Sequence, residues 1–307
     1  MKKLIAGLLC LLLTGALLAG CKSNAGTAGT SGSAGATGTA AKASVTGSIA
    51  LSGSSALLPL AQTAATQFQK DNPDLAITAN GGGSGTGLND VLAGTVDIGN
   101  SDVYANEKLS EADAAKLVDH KVALIGVAVI VNADVAKDVK NLTTGQLKGI
   151  FGGSIKNWKE VGGPAEAITI INRPTSSGTR ALFQKWALGG QASVEGNTSL
   201  QTDDSNALLT TVGSTKGTIG YVALSYLVTS NPQIGTVKID GTAPSYANIY
   251  DNKYQVWGYE HMYTKGQPKA NVKAFLDYMV SADMEKTVKT SGYGIIASLN
   301  AEAAASR

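Results

Sequence analysis

The sequence predicts an α/β fold in two lobes. From Thr46 onward, short apolar runs alternate with stretches whose apolar residues recur at helical spacing. Two long extended candidates, residues 122–131 and 254–263, stand far apart in the chain, as crossovers between two lobes would. At 307 residues the chain is long enough for a sizeable core in each lobe.

The start of the chain reads as a leader rather than as fold. Lys2 and Lys3 precede the apolar run 4–13, and Leu18-Ala-Gly-Cys21 closes the segment, the layout of a bacterial lipoprotein signal over residues 1–20. The alternative, a transmembrane anchor, needs roughly 20 continuous apolar residues, more than this run holds. Cys21 is then the first mature residue and the lipidation site, with its acyl chains inserted in a membrane. The other cysteine, Cys10, leaves with the leader, so no disulfide is expected. Loss of Lys2 and Lys3 turns 25 basic residues into 23, against 23 acidic ones, and that balance argues against nucleic acid as a partner. Residues 21–45, almost all Ala, Gly, Ser and Thr after Lys22, read as a flexible tether.

Past the tether, one unit recurs: strand, loop of small residues, helix. In its first copy the turn 52–55 is followed by Leu57, Leu60, Ala61, Ala64, Ala65 and Phe68 at helical spacing. In the second, strand 75–78 leads through the glycine-rich loop 80–87 to Leu88, Val91 and Leu92. In the third, strand 167–171 leads through the motif NRPTSSGTR at 172–180 to a helix over 181–188. The run 122–131 is apolar enough for a strand buried on both faces. Val272, Phe275, Leu276 and Met279 give one face of a helix over 271–279 that would pack on the first lobe. The layout implies largely parallel sheets, with lobe 1 formed by 46–125 and 256–307 and lobe 2 by 126–255.

Each of the three loops places hydroxyls and free amides at a helix start: Ser54 and Ser55 with the amides of Ala56 and Leu57; Ser84; and Ser177, Gly178 and Thr179. Helix N-terminal amides lack intrahelical acceptors and favour an anion, and Arg173 adds a planar fork of donors. For any single loop, N-capping explains the same residues. Three in one chain, one of them with an arginine, point to an oxyanion site. Asp102, in Gly99-Asn-Ser-Asp102, supplies an acceptor that suits a ligand still carrying a proton, such as hydrogen phosphate, and opposes sulfate. The alternative is an Asp102 that pairs with Arg173 or caps a turn.

The motifs SGSSALLPLA, GGGSGTG followed by TVDIGNSD, LKGIFGGSIKNW, NRPTSSGTR and GTIGYVAL, in this order, resemble those of the phosphate-binding lipoproteins of phosphate ABC transporters. That family belongs to the periplasmic-binding-protein superfamily. The resemblance spans about residues 46–300 and implies the two-lobed, hinged type II fold, with a ligand cleft between the lobes. It implies phosphate contacts at Ser54 or Ser55, Ala56, Leu57, Ser84, Asp102, Arg173, Ser177, Gly178 and Thr179. It also implies delivery of inorganic phosphate to membrane permease subunits, a lipid anchor on Cys21 at the extracytoplasmic face, and a monomer without a cofactor. The first loop departs from some members, with Leu57 and Leu58 where threonine and phenylalanine stand.

Other readings remain to be weighed. Another oxyanion, sulfate or molybdate, is the nearest alternative. A phosphatase or serine hydrolase is less favoured: the chain has no Gly-x-Ser-x-Gly elbow, and loop 81–87 lacks the P-loop lysine. His120 and His261, without cysteine partners or tight spacing, do not suggest a metal site. Ile150, Phe151 and Trp158 read as core, residues 217–221 as a buried strand entry, and Asp203 and Asp204 as solvated.

Overall fold

The computed structural model describes residues 44–194 and 201–307. The leader 1–20, Cys21 and the tether up to residue 43 lie outside the described residues. Val45, the last residue assigned to the tether, donates its amide to Asn72 Oδ1 at 2.8 Å and packs on the core.

Nine strands are found among the described residues: β1 Gly47–Gly53, β2 Leu75–Gly81, β3 Ile98–Ser101, β4 Leu117–Asn132, β5 Asn141–Leu142, β6 Thr169–Ile170, β7 Thr218–Ala223, β8 Ile234–Ile239 and β9 Trp257–Lys265. The main path of the sheet is β2-β1-β3-β9-β4-β7-β6, with β8 joining β4 to β5. β4 runs through both halves of this curled sheet. Residues 117–126 pair with β9, whereas Val127 and the residues after it pair with β7, joined by β8 from Val129. The apolar run seen in the sequence is therefore the C-terminal part of the longest strand, and from Val122 onward every residue of β4 is buried.

Four of the eight strand pairings are antiparallel, so the expectation of largely parallel sheets is corrected. Three of the parallel pairs are made by the recurring strand-loop-helix units, β1 with β2 and β3, and β6 with β7, and the fourth is the short pair of β5 with β8. The antiparallel ones all involve β4 or β9, because β9 returns alongside β4 and inserts between it and β3. A chain that leaves one half and comes back beside its own exit must run antiparallel there.

Each half has its own apolar cluster. Leu60, Ala61, Ala64 and Phe68 of the helix Leu58–Asp71 meet Ile49 and Leu51 of β1 and Val272, Phe275 and Leu276 of the helix Ala270–Met279. The helix Ala270–Met279 thus packs on the first half, as its spacing predicts. In the other half Val127, Val129 and Val131 pack with Ile150, Phe151, Trp158, Phe183 and Tyr221. Trp158 also donates Nε1 to Gly217 O at 2.9 Å, which settles its indole in the core.

The third unit is shorter in strand than expected and earlier in helix. β6 covers two residues, and the helix Gly178–Trp186 begins three residues before 181 because Ser177 caps it, accepting from Arg180 N at 3.3 Å. In the first unit the helix starts at Leu58, so Ser55, Ala56 and Leu57 form a turn ahead of it.

Backbones close to contact bring the loops together. A Cβ on Gly87 would lie 2.6 Å from Gly53 Cα and from Ser52 O, and 2.8 Å from Asn100 O. The helix Ser84–Ala93 can approach β1 and β3 this closely only with hydrogen in that place. Gly87→Ala is expected to destabilise by about 1–3 kcal/mol in urea unfolding, because the opposing atoms are backbone and cannot rotate away. Gly145→Ala, whose methyl would meet only Thr143 Oγ1 at 3.7 Å, should stay within about 1 kcal/mol of the parent. Equal effects at the two positions would contradict this account.

Candidate oxyanion site

Asp102 follows β3 directly and is 2 % exposed. Its Oδ1 accepts from Ser54 Oγ, and its Oδ2 accepts from Thr179 Oγ1 at 2.8 Å. Its amide donates to Ser84 Oγ at 2.9 Å. One residue therefore gathers the three predicted loops: the turn after β1, the start of the second helix and the start of the helix Gly178–Trp186. Gly178 closes the contact, since a Cβ there would sit 2.1 Å from Ser84 Oγ and 2.9 Å from Asp102 Cβ.

Arg173, between β6 and that helix, is fully buried. Its NH1 donates to Asp203 O at 3.1 Å and to Asp203 Oδ1 at 3.3 Å, and its NH2 donates to Ser205 Oγ at 2.6 Å. Its Nε has no hydrogen-bond partner among the described residues. The loop backbone is held from behind: Arg180 NH1 donates to Arg173 O at 2.6 Å, and Asn172 Oδ1 accepts from both Arg173 N and Tyr221 Oη, at 3.0 and 2.7 Å. A buried guanidinium costs several kcal/mol in desolvation unless it is paired and bonded, and here one carboxylate, one carbonyl and one hydroxyl offset that cost. Burial pushes the Asp203 carboxyl above the usual aspartate range, with Arg173 pulling against it.

The alternative of an Asp102–Arg173 ion pair gives way to this arrangement. The carboxylate paired with Arg173 is Asp203, and Asp102 is left bonded only to hydroxyls. The two charged groups of the site keep separate partners.

Of the other predicted residues, Ser55 donates Oγ to Asp203 O at 2.6 Å, and its carbonyl accepts from Tyr226 Oη at 2.7 Å. The Leu57 amide is already engaged, donating to Ser54 Oγ at 3.0 Å, while Ala56 is buried and its carbonyl accepts from Tyr293 Oη at 2.5 Å. Gly85 N donates to Ser176 O at 2.9 Å, and Lys108 Nζ donates to Thr175 O and Ser177 O at 2.7 and 3.2 Å. Burial lowers the Lys108 pKa, with Asp102 and Glu107 opposing.

Sequence reasoning placed Asp203 in solvent; the structure puts it against Arg173, with its side chain 15 % exposed. Asp204 does face solvent, as expected, and caps the helix Ser205–Ser214 by accepting from Asn206 N and Ala207 N at 2.8 and 3.0 Å. Ser205, Tyr226, Arg180 and Lys108 were missed as well. The available signal was Asp204-Ser205 ahead of Leu208 and Val212, a fourth helix start of the kind that marks the other three loops. Among the described residues no group of His, Cys, Asp and Glu is arranged to hold a metal. No helix among them is long and apolar enough to cross a membrane.

A family model described as the PBP superfamily domain matches residues 38–283. The chain belongs to the PBP superfamily. Within the superfamily, the phosphate-binding protein PstS of Bacillus subtilis is 48% identical over 244 residues, 79% of each chain. A Clostridium perfringens structure, described as a phosphate ABC transporter substrate-binding protein with bound phosphate, has 27% identity and a TM-score of 0.72, covering 81% of this chain and all of its own. An ABC-type phosphate transport receptor of Vibrio cholerae has 26% identity and a TM-score of 0.65, over 80% of this chain and 99% of its own. In this PBP superfamily member the fold is the two-lobed α/β type anticipated from the motifs.

Ser84→Ala should cost about 1–3 kcal/mol in denaturant unfolding, because it leaves the buried Asp102 amide without its acceptor. Unchanged stability would mean that this hydroxyl does not hold Asp102.

Proposed function

We infer that the chain is an extracytoplasmic solute-binding protein that captures inorganic phosphate and hands it to the permease subunits of an ABC transporter. The role is binding and delivery, not catalysis. Support comes from the 48% identity to a phosphate-binding protein and from the relatives described as ABC transporter components. The carrying observation at the site is Asp102, a buried carboxylate that accepts hydrogen bonds from hydroxyls and, among the described residues, pairs with no cation.

The ligand-contacting set in this reading is Ser54, Ser55, Ala56, Leu57, Ser84, Asp102, Arg173, Ser177, Gly178 and Thr179. Arg173 supplies charge and, through Nε, a free donor. Gly178 and Thr179 supply amides at the first turn of a nine-residue helix, where no intrahelical acceptor exists for them. An ionised carboxylate has about four acceptor positions, so Asp102 can accept a hydrogen bond from hydrogen phosphate while keeping Ser54 and Thr179. Sulfate at neutral pH has no such proton and would face like charge.

Lobe 1 is assigned to 46–125 and 256–307 and lobe 2 to 126–255, with β4 and β9 as crossovers. The change of partners along β4 between Gly126 and Val127 supports a hinge at that level. The lipid anchor on Cys21 belongs to the same proposal and rests on the leader sequence.

Calorimetry on the purified protein checks the reading: phosphate should bind at micromolar or lower concentration, and sulfate far more weakly. Asp102→Asn should narrow the gap between the two by about tenfold or more, since the amide can donate to sulfate. Arg173→Ala should weaken both. Equal binding of both ions by the parent protein, or unaltered selectivity in Asp102→Asn, would overturn this account of specificity.

A further inference from the structure

Behind Asp102 lies a second carboxyl group that the site as described does not use. Glu260 is on β9, paired across to Ala123 of β4, and is fully buried. Neither carboxyl oxygen has a hydrogen-bond partner among the described residues. Ser101 of β3 pairs with His261 of β9 in antiparallel register, so Asp102 stands across from Glu260, and burial together with the Asp102 charge pushes the Glu260 pKa well above the usual glutamate range. The other titratable groups whose fields reach it are phenols, Tyr246 from the helix Tyr246–Tyr250 and Tyr293 from the turn after the helix Ala282–Thr290. The next residue on its own strand, His261, alternates to the opposite face and bonds Asp119 at 2.7 Å. Among the described residues no cation partners Glu260.

Two buried carboxyls in contact cannot both be ionised without a large cost, and one proton between them converts mutual repulsion into a charge-assisted hydrogen bond. Donor counting decides where that proton sits. Asp102 accepts from two hydroxyls, and hydrogen bonds to the charged form favour it; Glu260 accepts from none. The neutral partner is therefore Glu260.

Resting on the phosphate reading above, we propose that Glu260 is a positioning residue whose protonated carboxyl donates to the Asp102 carboxylate, fixing it as an ionised acceptor for the ligand's proton. The pair then carries a single negative charge, placed on the member that faces the hydroxyls. Without that donor the Asp102 carboxylate would lose the bond that fixes its acceptor oxygens towards the ligand. Glu260 thus protects selectivity without touching phosphate.

Three measurements on the full protein test this. In ligand-free protein at pH 7, infrared difference spectra between the parent and Glu260→Gln should contain a protonated carboxyl band belonging to the parent; its absence overturns the proposal whether or not phosphate binds. Phosphate calorimetry should give Glu260→Gln within about threefold of the parent, because the amide still donates to Asp102, and Glu260→Leu about 10- to 100-fold weaker. If Glu260 only fills space, the order reverses, since leucine is easier to bury than an amide. Stability gives the third readout. A glutamate neutral when folded and titrating near 4.3 when unfolded makes the parent lose stability as pH rises above that value. The stability gain of Glu260→Gln should therefore grow between pH 4 and pH 8 in thermal unfolding, and a gain independent of pH contradicts the proposal. Failure of the parent to bind phosphate would instead remove the functional reading and leave the infrared and stability results standing.

Discussion

The Asp102 carboxylate, held between Ser54 and Thr179, is the interaction on which the rest of the site depends. It joins the turn after β1 to the helix start at Gly178, and through its amide it fixes Ser84 on a third segment. A buried charge that binds only hydroxyls is costly in a dry interior. Such a group persists where a further partner or a functional requirement compensates; in the proposals above these are the Glu260 carboxyl and the proton of a bound phosphate. Arg173 complements it without neutralising it, because its own charge is balanced by Asp203. In the proposed function, keeping the two charges on separate partners lets the same cluster attract an anion and still test whether that anion carries a proton.

Glycine makes this geometry possible. The contacts of Gly87 with the backbones of Gly53 and Asn100, and of Gly178 with Ser84 and Asp102, leave no room for a methyl group. The site is thus set by approach distances between main chains on strands and helix starts, and the side chains are short because the backbone has already done the positioning. The hydroxyl-rich, glycine-rich loops of the sequence are the visible trace of that constraint.

Much of this was legible in the sequence because it repeats locally. The three strand-loop-helix units follow from periodicity and small-residue loops, and the apolar face from Leu57 to Phe68 is buried as its spacing requires. Asp102 stood out because an acid is unexpected beside hydroxyls and an arginine. The antiparallel insertion of β9 was not legible, since strand direction is decided by where a distant segment returns. Nor was Asp203: an acid in a polar stretch looks solvated, and only tertiary placement brings it to Arg173. Glu260 was hidden for the opposite reason, because a single acid in an apolar strand carries no local signature of the carboxyl it will meet.

The most direct test of the central claim is a neutron diffraction structure of the phosphate-bound protein, which locates hydrogens as well as heavy atoms. The account predicts a phosphate oxygen about 2.5–2.7 Å from an Asp102 oxygen, with the proton on the phosphate side, Arg173 Nε donating to the ligand and a hydrogen on Glu260 directed at Asp102. A phosphate bound away from Asp102, or an Asp102 that itself carries the proton while Glu260 is bare, would contradict it.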